Sequence, residues 1–314
     1  MIKFKINNKE YSASNEDTIW QVAKKNGINI PHLCHSDEVN YDPDGNCRAC
    51  VVQVNNERAL TASCIRKPTE GMEVFTEKND VKESQKIIFE LLAADQPDLD
   101  CHPDPDSKFW TWSKKLGIDP QKFPKNKNIK QDISHPSMLV NLEACINCNL
   151  CVRGCRDVQS NDVIGMAYRG NKSKVIFDFD DEMGSSSCVG CGECVQACPT
   201  GALMEKSLLN DEGKKVLYPD KEVNSLCPYC GVGCQTKVYV KDNKIVQIDG
   251  RDGPANNNKL CVKGRFGYDY IHSEERLQKP LIRKKGAKKE AIDDYSKLKL
   301  EDFFREATWE EALA

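Results

Sequence analysis

The first 78 residues alternate between apolar and polar positions in short segments, which predict strands around one helix. The helix is predicted at 19–25, with Asp17 or Thr18 as its cap and Asn26-Gly27 as its stop signal. The predicted strands lie at residues 1–6, 10–12, 50–54 and 72–75. This order of elements predicts an α+β domain.

A helical connector is predicted at residues 79–138. A helix is predicted at 81–94, and a second, short helix begins at the aromatic residues Phe109, Trp110 and Trp112. The stretch 120–137 is rich in Pro, Lys and Asn, which is typical of a surface connection. Two helices and a surface connection therefore join the first domain to the rest of the chain.

The remaining chain divides into two domains, 139–206 and 223–314, joined by a linker. The linker is predicted at 207–222, where the composition shifts to Lys, Glu, Asp and Asn. An insert at 162–187 is predicted to contain a strand or hairpin around 174–179.

The last domain begins with a hairpin and ends in a helix. Strands at 237–240 and 245–248 flank a turn at Asp242-Asn243. Thr308 and Glu311 are spaced as the capping box of a helix within which the chain ends. The whole chain is therefore predicted to be α+β.

The charge, apolar content and cysteine content of the chain limit the class of protein to which it can belong. The chain has 314 residues, a net charge of −3 and 30% charged residues, so neither nucleic acid nor an anionic membrane surface is indicated as a partner. The N-terminus has no long apolar signal region, and no run approaches the ~18 apolar residues that span a bilayer. Most of the 17 cysteines lie in C-x2-C groupings, which favour metal binding over a disulfide scaffold. The chain is predicted to be cytoplasmic.

Two cysteine runs with the spacing C-x2-C-x2-C-x3-C indicate a pair of [4Fe–4S] clusters. The second run ends in the Cys-Pro of bacterial ferredoxins, in which three cysteines of each run hold one cube and the fourth ligates the other. The predicted ligand sets are Cys145, Cys148, Cys151 and Cys198 for one cluster, and Cys188, Cys191, Cys194 and Cys155 for the second. The alternative is a pair of zinc knuckles, although zinc ligands usually form two separated pairs.

Two arginines lie beside the first run. Arg153 and Arg156 either offset the negative charge of thiolate-ligated clusters or are ordinary surface residues. The sequence leaves both interpretations open.

Four cysteines of the first domain, Cys34, Cys47, Cys50 and Cys64, fit a [2Fe–2S] cluster, with zinc as the alternative. Their long first gap resembles the β-grasp domain that opens the large iron–sulfur subunit of complex I, iron-only hydrogenases and NAD-linked formate dehydrogenases. In those families the next segment carries a histidine and three cysteines for another cluster. Here Gln96 stands near the histidine position, and Cys101 is the one cysteine between Cys64 and the ferredoxin runs. We therefore expect Cys101 to be a free cysteine and the nearby aromatic residues to form a local core.

A third group of four cysteines opens the last domain: Cys227, Cys230, Cys234 and Cys261. Spacing alone leaves zinc and [4Fe–4S] open. The strings Cys227-Pro-Tyr-Cys-Gly-Val-Gly-Cys234 and Cys261-Val-Lys-Gly-Arg265 resemble the cluster domain of molybdopterin oxidoreductases, specifically formate dehydrogenase α subunits. The resemblance implies that Lys263 lies between the cube and the pterin and helps to carry electrons.

The resemblance implies the function of an oxidoreductase subunit. Electrons from formate oxidation at a molybdenum or tungsten bis-pterin guanine dinucleotide would pass Lys263, the three cubes and the [2Fe–2S] cluster towards a flavin subunit that reduces NAD. In that family several hundred further residues hold the metal cofactor. We therefore expect this chain to be an N-terminal portion that is not active alone. The alternatives are a standalone iron–sulfur carrier and a module related to iron-only hydrogenase.

Overall fold

A five-stranded mixed sheet with one helix forms the N-terminal part of the protein. The computed structural model describes residues 1–125, 131–287 and 299–314. The elements of this part are β1 (Ile2–Ile6), β2 (Lys9–Ala13), α1 (Ile19–Lys25), β3 (Val51–Val54), β4 (Thr61–Ala62) and β5 (Glu73–Phe75). The strand order is β2-β1-β5-β3-β4, and β1 pairs with β5 in parallel while the other pairs are antiparallel. The elements predicted from the alternation are confirmed.

The helix α1 packs its apolar side chains on this sheet. Thr18 caps it by accepting a hydrogen bond from the Gln21 backbone N–H, and the Gln21 side chain accepts from the Thr18 N–H. Ile19, Trp20 and Val22 are buried together with strand residues. Burial of this face, at ~25 cal/mol per Å² of apolar surface, stabilises the helix, which is too short to persist alone.

Two helices follow, as the sequence predicts. They are α2 (Asn79–Ala93) and α3 (Lys108–Leu116). Phe89 of α2 stacks on Phe109 of α3, with 5.7 Å between the ring centroids, and Trp110 lies edge-on to Phe109. The predicted aromatic core is therefore confirmed. Residues 126–130 of the predicted surface connection lie outside the described residues.

The segment with the two ferredoxin runs is bracketed by a two-stranded sheet. Its elements are β6 (Met138–Val140), α4 (Leu150–Arg153), β7 (Ile164–Ala167), β8 (Lys174–Phe177), α5 (Glu193–Ala197) and β9 (Leu203–Glu205). The strands β6 and β9 pair antiparallel, and β7 and β8 form the hairpin predicted within the insert. A π-helical turn, Gly154–Val158, follows α4 directly.

Residues 207–222, predicted to be a linker, pack against the neighbouring segments. Leu208 is buried with Met204 and Val246. The Lys215 backbone N–H donates to the Pro103 carbonyl at 2.9 Å, and its ammonium lies 3.1 Å from Asp104. The segment is therefore held in place at several points despite its polar composition.

A three-stranded antiparallel sheet and a short helix carry the last cysteine group. They are β10 (Lys221–Leu226), β11 (Gln235–Lys241), β12 (Lys244–Gly250) and α6 (Val262–Phe266). Asp242 and Asn243 both adopt positive φ, which matches the twist of the hairpin that they connect. The predicted hairpin is confirmed.

The chain divides into two units, Met1–Gly267 and Tyr268–Ala314. The second contains β13 (Leu281–Arg283), α7 (Leu300–Phe303), β14 (Phe304–Glu306) and α8 (Trp309–Leu313), with β13 and β14 paired antiparallel. Thr308 caps α8 by accepting from the Glu311 N–H, as predicted. In the described ranges no helix combines the length and apolar character needed to cross a membrane.

Candidate metal centres

The four cysteines of the N-terminal domain come together at one end of the sheet. The backbone N–H groups of Cys34 and Cys47 each donate to the sulfur of the other, at 3.4 Å. Hydrogen bonds from the Cys47 and Cys64 thiols lower the pKa of Cys34, and a hydrogen bond from Cys64 lowers that of Cys50 to about 7. All four sulfurs are therefore neighbours, which is the donor set that a [2Fe–2S] cluster requires.

The fourth cysteine of each ferredoxin run lies near the first three cysteines of the other run. Cys198 lines one small cavity together with Cys145, Cys148 and Cys151. Burial, and then the thiols of Cys191, Cys188, Cys155 and Cys198, raise the pKa of Cys194. Cys155 is therefore a neighbour of the second run. A crowded set of buried thiols suits iron, because the cations offset repulsion between thiolates.

The two runs share one backbone conformation. Asn147 and Asn149 adopt positive φ in the first run, and Gly190 and Gly192 do so at the equivalent positions of the second. The N–H of Asn147 donates to the Cys145 sulfur and that of Gly190 to the Cys188 sulfur, each at 3.4 Å. Backbone N–H groups turned inward in this way stabilise negatively charged sulfur.

The third cysteine group lies in the loops beside β10–β12. Burial, and then the thiols of Cys227, Cys230 and Cys261, raise the pKa of Cys234. Cys230 and Cys261 are exposed, unlike most members of the other groups. Lys263 is also exposed, in α6 and two residues beyond Cys261. This group therefore faces solvent on one side.

A buried core joins the first cysteine group to the ferredoxin segment. Cys34, Phe109 and Cys148 belong to the same apolar cluster, and the Cys34 thiol is among the groups that raise the pKa of Cys148. The aromatic residues of α3 therefore fill the junction between these two groups of cysteines.

Two cations lie at this junction. Arg153 is buried and donates to the carbonyls of Cys34 and Asp42, each at 2.5 Å. Burial lowers the pKa of Lys108 to about 8, although the thiols of Cys47 and Cys148 oppose the shift. Both charges lie beside buried cysteines, whereas Arg156 is exposed and paired with Asp157 at 2.7 Å.

Hydrogen bonds between buried polar side chains hold the segment between α2 and α3. The Gln96 amide donates to the Ala144 carbonyl at 3.1 Å and accepts from His102 Nε2 at 3.0 Å. His102 Nδ1 accepts from the Asp104 N–H, which fixes this tautomer, and burial lowers the pKa of His102 to about 4. Cys101 is exposed.

Polar contacts that the sequence does not reveal connect the three cysteine-bearing segments. The Tyr41 hydroxyl donates to the buried Glu193 carboxylate at 2.8 Å, and Lys259 lies 3.2 Å from the same oxygen. The fully buried Arg265 donates to the Cys191 carbonyl at 2.8 Å. Glu193 and Arg265 stand inside cysteine motifs, but neither motif indicates where these side chains lie, and Tyr41 and Lys259 stand in no motif.

The zinc alternative requires about four donors around one point. Among residues 1–125, 131–287 and 299–314, no group of three or more His, Cys, Asp or Glu side chains is placed to hold a single metal ion.

Three protein-family models match the chain, each on one cysteine-bearing segment. Residues 1–79 match a 2Fe-2S iron-sulfur cluster binding domain, 144–202 a 4Fe-4S dicluster domain, and 220–273 a molybdopterin oxidoreductase Fe4S4 domain. The chain therefore carries three domains that match families of iron–sulfur cluster-binding domains.

Relatives that match nearly the whole chain indicate the kind of protein in which these domains occur. The chain is 31% identical to "Putative formate dehydrogenase YrhE" of Bacillus subtilis, over 99% of this chain and 34% of that protein. It is also 31% identical to an NADH-quinone oxidoreductase polypeptide of Rhizobium meliloti, over 91% of this chain and 33% of the relative. The chain thus spans about a third of the length of these relatives. It is an iron–sulfur electron-transfer region of the kind found in these oxidoreductases, which confirms the resemblance drawn from the cysteine spacing.

A solved structure shares the fold. The match is to a crystal structure of NAD+-reducing [NiFe]-hydrogenase in the H2-reduced state, with a TM-score of 0.60 and 24% identity. It covers 68% of this chain and 92% of that chain. The likeness shows a common architecture for most of the protein.

Proposed function

We propose that this chain binds one [2Fe–2S] cluster and three [4Fe–4S] clusters. The proposed ligand sets are Cys34, Cys47, Cys50 and Cys64 for the two-iron cluster; Cys145, Cys148, Cys151 and Cys198; Cys188, Cys191, Cys194 and Cys155; and Cys227, Cys230, Cys234 and Cys261 for the cubes. The observation that carries the proposal is the exchange of fourth cysteines between the runs: Cys198 lines one cavity with Cys145, Cys148 and Cys151, and Cys155 lies near Cys188, Cys191 and Cys194. A pair of independent zinc knuckles gives no reason for such an exchange.

The chain itself contributes binding, spacing and burial. When bound, the clusters supply one-electron transfer. The β1–β5 sheet with α1, which we assign as a β-grasp domain at 1–78, holds the first cysteine group. The ferredoxin segment at 139–206 shares an apolar core with it, in which Cys34 and Cys148 are both buried.

The whole enzyme is proposed to be an NAD-linked formate dehydrogenase with molybdenum or tungsten bound to bis-pterin guanine dinucleotide. The names of several relatives and the molybdopterin oxidoreductase Fe4S4 match support this assignment. The proposed partners are flavin-containing and iron–sulfur subunits that reduce NAD. Within the domain proposed at 223–314, the exposed Lys263 is the proposed contact towards the pterin. Formate, CO2 and the metal cofactor belong to the rest of the enzyme.

A reductive titration tests the proposal. The chain is reconstituted anaerobically with iron and sulfide and titrated with dithionite while its electron paramagnetic resonance is recorded. We expect uptake of about four electrons per chain, one for each cluster. The absence of electron uptake by protein that contains stoichiometric zinc would refute the proposal.

A further inference from the structure

Arg265 is a charged side chain with no exposed surface. It stands in α6, whose cap is Cys261, and its backbone N–H donates to the Cys261 carbonyl at 3.1 Å. Its side chain leaves that loop and enters the ferredoxin segment. Burial of a guanidinium is costly unless its donors are satisfied, so the position of these donors indicates what the residue does.

The three donor positions of Arg265 connect two cysteine loops. Nε donates to the Cys191 carbonyl at 2.8 Å, and Nη2 to the Gln196 amide oxygen at 2.6 Å. Nη1 donates to Asp249 of β12 at 2.8 Å. Gly192 adopts a positive φ of 70°, and a Cβ at this position would overlap the Arg265 side chain. The loop of Cys191 is therefore shaped around the guanidinium.

The positive charge of Arg265 is only partly offset. Asp249 pairs with it directly. Glu205 lies 4.0 Å away, but within the described part of the chain neither of its carboxylate oxygens accepts a hydrogen bond. Burial raises the pKa of Glu205 to about 8, so this carboxyl is largely protonated at neutral pH and does not cancel the charge.

We propose that Arg265 is a positioning residue that holds the loop of Cys191 against the loop of Cys261 and raises the reduction potential of a cluster bound by Cys155, Cys188, Cys191 and Cys194. This inference rests on the proposed function. Reduction adds one electron, hence one negative charge, to that cluster. A buried cation stabilises the added charge because the surrounding medium screens it weakly.

Two substitutions with opposite expected effects test the inference. Arg265→Gln removes the cation, and Asp249→Asn removes its counter-charge but keeps an oxygen acceptor. Each reconstituted variant is titrated electrochemically with resonance detection, and the relevant signal is the one lost in Cys188→Ala. We expect Arg265→Gln to lower the potential by about 59 mV, a tenfold change in the one-electron ratio, and Asp249→Asn to raise it. Arg58→Gln, a change at an exposed arginine of the N-terminal domain, serves as the control and should leave the potential unchanged.

The opposite shifts in reduction potential expected for the two variants distinguish an electrostatic effect of Arg265 on the cluster from a role in stabilising the fold. A purely structural role predicts that both variants keep the wild-type potential or that both shift it in one direction, and either result overturns the inference. If Arg265→Gln does not retain iron, Asp249→Asn decides alone: a raised potential supports the inference and an unchanged one overturns it. Failure of the wild-type chain to bind iron and sulfide would instead refute the proposed function.

Discussion

Replacement of Cys148 by alanine is expected to remove about four irons per chain, the content of one cube. Cys148 is buried at the junction with the N-terminal domain, and burial raises its pKa well above the ordinary value. A serine side chain or a water molecule has little room to replace Cys148 as a ligand, because Leu150 and Phe109 are packed in the same buried core. Iron and acid-labile sulfide measured per chain after anaerobic reconstitution give the result.

Cys101→Ala is the matched control for this prediction. Cys101 is exposed and is the one cysteine outside the four groups. The variant should retain the full iron content of the wild-type chain. Loss of a cluster from the Cys101→Ala variant would show that Cys101 is a ligand. Full iron content in the Cys148→Ala variant would show that Cys148 is dispensable. Either result would contradict the assignment.

Replacement of Arg153 by methionine is expected to open the junction between the N-terminal domain and the ferredoxin segment. Arg153 satisfies the carbonyls of Cys34 and Asp42 and lies 3.6 Å from Asp44. Loss of charged hydrogen bonds in a buried place costs about 3 kcal/mol. Amide hydrogen exchange around Cys34 should therefore become roughly 100-fold faster, as measured by mass spectrometry on the reconstituted protein.

Arg156→Met is the control for the effect of charge. Arg156 follows α4 by three positions but is exposed, and an exposed pair such as that with Asp157 contributes about 0–1 kcal/mol. Exchange around Cys34 should not change in this variant. The same acceleration in both variants would show that net charge, and not the buried hydrogen bonds of Arg153, controls the junction.

The cysteine groups could be predicted because their chemistry is local in the sequence. A C-x2-C spacing brings two thiols together whatever the rest of the chain does, and the positive φ of Asn147 and Gly190 follows from residue types that tolerate it. The strands and helices of the first domain were predicted for the same reason, since alternation and caps are short-range signals.

The contacts between segments could not be predicted. Tyr41 and Glu193 are 152 positions apart, and Arg265 and Cys191 are 74 apart. A charged residue in a polar sequence gives no sign that it will be buried, since most such residues remain exposed. The polar composition of 207–222 likewise concealed the packing of Leu208.

Iron, acid-labile sulfide and zinc per chain test the central claim most directly. The claim is that the four cysteine groups hold one two-iron cluster and three cubes. Anaerobically reconstituted protein should contain about 14 irons and about 14 sulfides, with no stoichiometric zinc. Stoichiometric zinc without acid-labile sulfide would contradict the account.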